Sequence, residues 1–248
     1  MMLKLFKYEA IKNRLSKLLV AAITLVLEAL FCYGVFKEDN KFITITSLVL
    51  FLLATFSIVW FGIQSVVTLH KDLNSRQAYM LFMTPNSNYK ILGAKVLENA
   101  VSVLLCGVFF GLLGFIDYTL IRNNVQALDE MIEMMNTIFS ELVANIRLDP
   151  MAIIAFGSYM IFNWLSTITV AYLAVIMVSS VLKEKKGSML IAFLIFLALN
   201  ALFNLLFGLV PETVDSTTAN LLRSAISVVI IVITYYFSAL IMEKKLSV

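Results

Sequence analysis

The chain has 248 residues, of which 61% are hydrophobic and 14% charged, against about 45–50% and about 25% in soluble proteins. Its net charge of +3 leaves no nucleic-acid footprint, because the basic residues fall where a membrane topology needs them. Nearly every residue is used in apolar stretches and their connections. That leaves no room for a soluble catalytic domain and reads as a single membrane domain over residues 1–248.

Residues 3–17 place Leu3, Phe6, Tyr8, Ile11 and Leu15 among lysines and Arg14 at helical spacing. This pattern predicts an amphipathic interfacial helix over residues 1–17, or else a basic flank that only sets orientation. The first span, 18–36, comes after a basic n-region as in a signal peptide. It is longer than a usual h-region and five more spans succeed it, so it is expected to be retained.

Glu28 lies near the middle of that span, where a carboxylate costs at least ~2.5–3.5 kcal/mol on insertion scales. It must face a cavity, find a partner or be protonated. Two readings stand: an interhelical hydrogen bond to Thr24, Gln64 or Asn163, or a substrate or proton role. Cys32 and Cys106, in or near spans 1 and 3, have no CxxC or His-rich company and read as small buried hydrophobes.

The second span is predicted over 43–69. His70, the single histidine, adjoins Lys71 at its end and reads as interfacial or as a proton relay. Asp72 or Asn74 can cap a helix start, and Tyr79, Leu81, Phe82 and Met83 make residues 75–83 too apolar for a solvated loop. Thr84-Pro85 then reads as an N-cap with Pro at N1, so a second helix is expected to begin there and run into the third span. The expectation is a short surface helix over 72–84, a turn, and a third span over 97–120. Its aromatic residues need cover, from headgroups and neighbouring helices or from a soluble partner.

Between spans 3 and 4, Val125, Leu128, Ile132, Met135, Phe139, Leu142 and Ile146 form a heptad stripe. The opposite face carries Gln126, Asp129, Glu130, Glu133 and Glu141, with no basic residue from 123 to 146. An acidic amphipathic helix over 123–146 is expected, packed on the span ends or on a second copy, or serving as a lid for cationic material. The remaining spans are predicted over 150–182, 188–209 and 221–242. Asn163 and Trp164 in the fourth, with Asn200 and Asn204 one turn apart in the fifth, either glue helices or line a pathway.

The basic residues orient the whole. Lys4, Lys7, Lys12, Arg14 and Lys17, then Lys71, Arg76, Lys90 and Lys95, then Lys183, Lys185 and Lys186, then Lys244 and Lys245 fall on one side. They make fourteen of the 19 Lys and Arg residues. Only Lys37, Lys41, Arg122, Arg147 and Arg223 fall on the other. The positive-inside rule puts both termini in the cytoplasm. No Gly-Lys dipeptide occurs, so no P-loop can form, and neither an HExxH nor a G-x-S-x-G motif is present. The chain is not expected to be an enzyme, nor to carry a metal or cofactor of its own.

An N-terminal interfacial helix, six spans with both ends inside, and a helical elbow after span 2 resemble the permeases of ABC-2-type ATP-driven exporters. The stretch from Asp72 to Lys95, with Asp72-Leu-Asn-Ser and Leu81-Phe-Met-Thr-Pro, looks like the first cytoplasmic loop of bacterial permeases in that group. The resemblance covers the whole chain in topology. It implies an all-α polytopic fold in a bacterial plasma membrane, with the elbow as a coupling helix seated on a separate ATPase subunit that binds ATP and Mg. Asn74, Ser75, Arg76, Gln77, Tyr79 and Phe82 would touch that subunit, with Lys183 and Lys185 as a second contact. A second permease copy, identical or not, would complete the working unit.

The small size and single membrane domain look like Gram-positive exporters of amphipathic peptides, such as phenol-soluble modulins, although many members place their external elaboration between spans 5 and 6. On this reading Glu28, Gln64, Asn163, Asn200 and Asn204 line the substrate path, and Asp129, Glu130 and Glu133 face its exit. The competing expectations are a non-transporting immunity or sensor protein, an exporter of lipids or small drugs, and a proton-coupled carrier using Glu28.

Overall fold

A computed structural model describes residues 2–74, 87–124, 150–182, 187–211 and 214–246. Seven α-helices occur in chain order: α1 (Met2–Lys12), α2 (Arg14–Lys37), α3 (Asn40–Asn74), α4 (Asn88–Asn124), α5 (Pro150–Val181), α6 (Ser188–Phe207) and α7 (Ser216–Ile241). A π-helical turn, Met242–Leu246, closes α7, and no strand occurs among the described residues. Six of the helices, α2 to α7, are long and apolar enough to cross a membrane. Hydrocarbon offers no partner to backbone N–H and C=O groups, so spans of this kind satisfy them internally as helices. The all-α polytopic architecture expected from the sequence is what the structure has.

The helix bounds differ from the expected ones in instructive places. Helix α3 carries Asp72 and Asn74 as helical residues, beyond the expected span end at 69. Helix α4 is helical from Asn88, within the helix expected to run from Thr84-Pro85 into the third span, and holds Lys95 and Glu98. Arg14–Lys17 belong to α2 and not to the interfacial helix, which ends at Lys12. Helix α7 begins at Ser216, before the expected 221. Polar residues are carried in these helical ends, where buried partners satisfy several of them. The rest of the expected coupling helix, from Ser75 to Thr84, lies outside the described residues. So does the external helix beyond Asn124, with Asp129, Glu130 and Glu133.

The chain divides into two compact units. The first holds residues 1–6, 62–100 and everything from α5 onward. Its centre is α5, with 56% of its crossing window buried against 6% for α6. Val170 to Ile176 are buried all round that helix, as expected for a helix surrounded by others. Helix α5 packs chiefly against α7 and then α6. Helix α7 turns a stripe of small residues inward, including Ala219, Ser224, Ser227, Ser238 and Ala239. Small side chains let helix backbones approach closely in membrane bundles. Gly62 serves the same end on α3, since a Cβ there would lie 2.6 Å from Cζ2 of Trp164.

The second unit holds residues 7–61 and 101–145, and its described helices are the α2–α3 hairpin and the later part of α4. The hairpin turn is sharply specified. Glu38 adopts a left-handed conformation (φ 55°), and its N–H reaches the Val35 carbonyl while that of Asp39 reaches Gly34, a Schellman closure. Asp39 Oδ1 then accepts from the Phe42 N–H at 3.3 Å and caps α3. Gly34 is required because a Cβ there would meet Phe42 Cδ1 at 2.8 Å. Phe31, Val35, Ile43, Leu50 and Ile121 form the small core of this unit. Many large apolar side chains, among them Leu19, Val26, Phe36 and Phe51, remain exposed, as lipid-facing surfaces do.

Candidate functional site

The second unit contains a cavity of about 710 Å³, within the ~300–1,000 Å³ typical of ligand sites. Helix α2 contributes Glu28 and Phe31, α3 contributes Thr44, Ser47, Leu48 and Phe51, and α4 contributes Phe110, Gly111, Gly114, Asp117, Tyr118 and Ile121. The register explains the wall. Phe110, Gly114, Asp117 and Ile121 recur at +4, +3 and +4 along α4, which puts them on one face of that helix. A Cβ on Gly111 or Gly114 would meet nothing within 4 Å, so these two positions leave space that larger residues would fill.

Two carboxyl groups share this otherwise apolar chamber. The carboxyls of Glu28 and Asp117 lie close enough to interact electrostatically. Both Glu28 oxygens and Oδ1 of Asp117 are shielded from solvent and have no hydrogen-bond partner among the described residues. Two hydroxyls along the wall are already engaged: Thr44 donates to the Asn40 carbonyl at 2.8 Å and Ser47 to the Thr44 carbonyl at 2.9 Å. No basic side chain is among the described residues lining the cavity. Lys37, the nearest base along α2, lies over the Tyr33 ring at 5.1 Å. At ~1.5 Å rise per residue, Glu28 lies about 14 Å from the Lys37 end of α2.

The structure thus corrects the expected neighbourhood of Glu28. Its carboxyl makes none of the expected hydrogen bonds and shares the cavity with Asp117, while Thr24 donates to the Val20 carbonyl at 2.8 Å. Gln64, Asn163, Asn200 and Asn204, expected along the same path, do not line this cavity. Gln64 and Asn163 are half-buried members of the first unit, where the Asn163 carbonyl accepts from Ser166 and Thr167. Asn200 is half-buried and Asn204 exposed on α6. Asp117 was legible in principle: it is an acid inside an expected span, and an intramembrane carboxyl calls for a partner of some kind.

The first unit handles its polar groups differently. Lys95 is buried and donates to Asp72 at 2.6 Å, joining α3 to α4. Trp164 Nε1 donates to Asn99 Oδ1 at 3.2 Å, and the Ser65 and Tyr172 hydroxyls share a hydrogen bond. His70 Nε2 meets Ser188 Oγ at 3.0 Å, which gives this histidine a helix-bridging contact. Asn74, expected at an ATPase contact, donates to Ser179 Oγ at 3.2 Å and to its own helix at the His70 carbonyl. Ser75, Arg76, Gln77, Tyr79, Phe82, Lys183 and Lys185 lie outside the described residues. Cys106 is buried and Cys32 half-buried, both as free thiols.

No group of three or more His, Cys, Asp and Glu residues able to hold a metal occurs among the described residues. No family model, curated protein or solved structure matches the chain. The chemistry therefore has to be read from the cavity itself: a carboxyl pair, able to accept hydrogen bonds or hold a proton, set in an apolar chamber.

Proposed function

We propose that this membrane protein is the permease subunit of an ATP-driven exporter in a bacterial plasma membrane. It carries amphipathic peptides outward, with ATP and Mg bound by a separate ABC subunit and a second permease copy completing the pathway. The observation that carries the transport reading is the carboxyl-bearing cavity among helices able to span a membrane. Each buried acid costs at least ~2.5–3.5 kcal/mol on insertion scales, and a chamber that recognises cargo gives that cost a purpose.

Coupling to an ATPase gains support from the ends of α3 and α4. Asp72 and Lys95 join them on either side of residues 75–86, so a push on that connection would move both helices together. The basic residues support cytoplasmic termini, and with Lys95 set aside as a buried partner they still divide thirteen to five. In a background lacking Cys32 and Cys106, Glu130→Cys and Asp215→Cys should be labelled from outside by an impermeant reagent, and Arg76→Cys and Lys185→Cys should not. Labelling of Arg76→Cys in intact cells reverses the orientation.

The function is tested by co-expression with the ATPase encoded nearest to it. Co-purification and peptide-stimulated ATP hydrolysis are expected, and Tyr79→Ala/Phe82→Ala should lower both export and stimulation while the protein still inserts. Full export by that double variant would remove the coupling role of 72–84. The two neighbouring carboxyls, Glu28 and Asp117, favour a second reading, a proton-coupled carrier. Uptake into proteoliposomes driven by a pH gradient, with no ATPase present, would select it.

A further inference from the structure

We infer that the cavity of the second unit is a binding site for a lipophilic cation, with Glu28 and Asp117 receiving one ammonium or guanidinium group and the apolar walls receiving the body attached to it. This deepens the transport reading by naming what the cargo must present. The binding itself needs no ATPase.

The chamber's volume, about 710 Å³, suits a ligand far larger than a single ion. Apart from the two carboxyls, its wall is dominated by apolar side chains such as Phe31, Phe51 and Phe110. The hydroxyls of Thr44 and Ser47 donate to backbone carbonyls of their own helix. Three carboxyl oxygens are shut off from solvent with no hydrogen-bond partner among the described residues. Ammonium and guanidinium groups carry several N–H donors and no acceptor, so they complement these unmatched acceptors. An anionic or sugar ligand would find like charge or unmatched hydroxyls. A hard metal ion would want six to eight oxygens, more than two carboxyls provide. Gly111 and Gly114 stand on the same side of α4 as Asp117, at three-residue spacing, and leave room for the apolar body next to the acid.

The exchange balances without a further reactant. A carboxyl that carries a proton before the cation enters must release it. On entry that proton leaves to solvent, and the carboxylates face the bound positive charge.

The probe is radiolabelled 1-adamantylammonium, measured by equilibrium binding to the full chain purified in lipid nanodiscs. 1-Adamantanecarboxylate, of similar shape and opposite charge, is the control. Saturable binding of the cation and none of the carboxylate are expected. Glu28→Gln or Asp117→Asn should weaken binding at least about tenfold, the scale of one lost charge-assisted contact, and the double variant should abolish saturable binding. Gly114→Phe leaves both acids in place and fills the chamber, so it should also block the probe.

Absence of saturable binding by the wild type, equal binding of the adamantanecarboxylate, or full binding by a folded double variant would each overturn the inference. If the double variant does not fold, Gly114→Phe decides: loss of binding supports the site and unchanged binding removes it. Failure to co-purify with an ATPase would end the export reading and leave the binding result standing.

Discussion

The two units differ in how they hold their buried ionisable groups. In the first, Lys95 is paired with Asp72 across helices, beside polar contacts of Trp164 with Asn99 and of Ser65 with Tyr172. In the second, Lys17 reaches Ser102 at 2.6 Å, but both Glu28 oxygens and Oδ1 of Asp117 lack a hydrogen-bond partner among the described residues, at the edge of an apolar chamber. A fully satisfied network fixes one arrangement of helices, whereas a partly satisfied one is a poor way to hold a fold together. The contrast assigns structure to the first unit and ligand chemistry to the second. It can be broken or sharpened by substitutions whose effects should differ in size and sign.

The largest loss is expected at Lys95. Removing one partner of a buried ion pair leaves an uncompensated charge, so Lys95→Met should destabilise by about 3–5 kcal/mol, read as a fall in the thermal unfolding midpoint in detergent. Lys95→Met/Asp72→Leu should recover much of that loss, because replacing both partners is far milder than orphaning one. Next comes Gly62→Leu. Trp164 already occupies the space a Cβ would need, and overpacking costs ~1–3 kcal/mol. Retained stability there would mean the α3–α5 approach is looser than described.

Tyr172→Phe removes the hydroxyl that Ser65 uses and should cost about 1 kcal/mol, visible as a small shift in the same unfolding curve. The smallest effect belongs to the second unit: Gly114→Ala meets open space and should be neutral or stabilising by up to about 1 kcal/mol through helix propensity. A clear destabilisation would show that this part of the cavity wall is packed in a way the contacts do not reveal.

Much of the fold was legible because span length and apolar composition are dictated by the bilayer, so six helices could be placed from runs of residues such as Leu18–Phe36 and Leu221–Met242. Their ends were not. Polarity reads as a helix boundary, yet Asp72 lies within α3, buried against Lys95. A pairing between positions 23 residues apart leaves no local mark in the pattern. The candidate site was half visible. Glu28 stood out as an acid deep in an apolar run, but its partner was sought among hydrogen-bond donors such as Gln64 and Asn163. The structure supplies a second acid, a choice that makes sense for binding a cation and little sense as glue. The helix face linking Gly111, Gly114 and Asp117 could be counted from the sequence, while the open space beside it required the packing.

The central claim is that the Glu28–Asp117 pair serves ligand chemistry and does not hold the helices together. The direct test is the thermal unfolding midpoint of Glu28→Leu/Asp117→Leu, measured beside that of Lys95→Met in the same detergent. Removing two poorly satisfied buried acids should leave the midpoint unchanged or raised, as expected where function has been kept at the expense of stability. A fall as large as that of Lys95→Met would contradict the account and make the pair a structural bridge between α2 and α4.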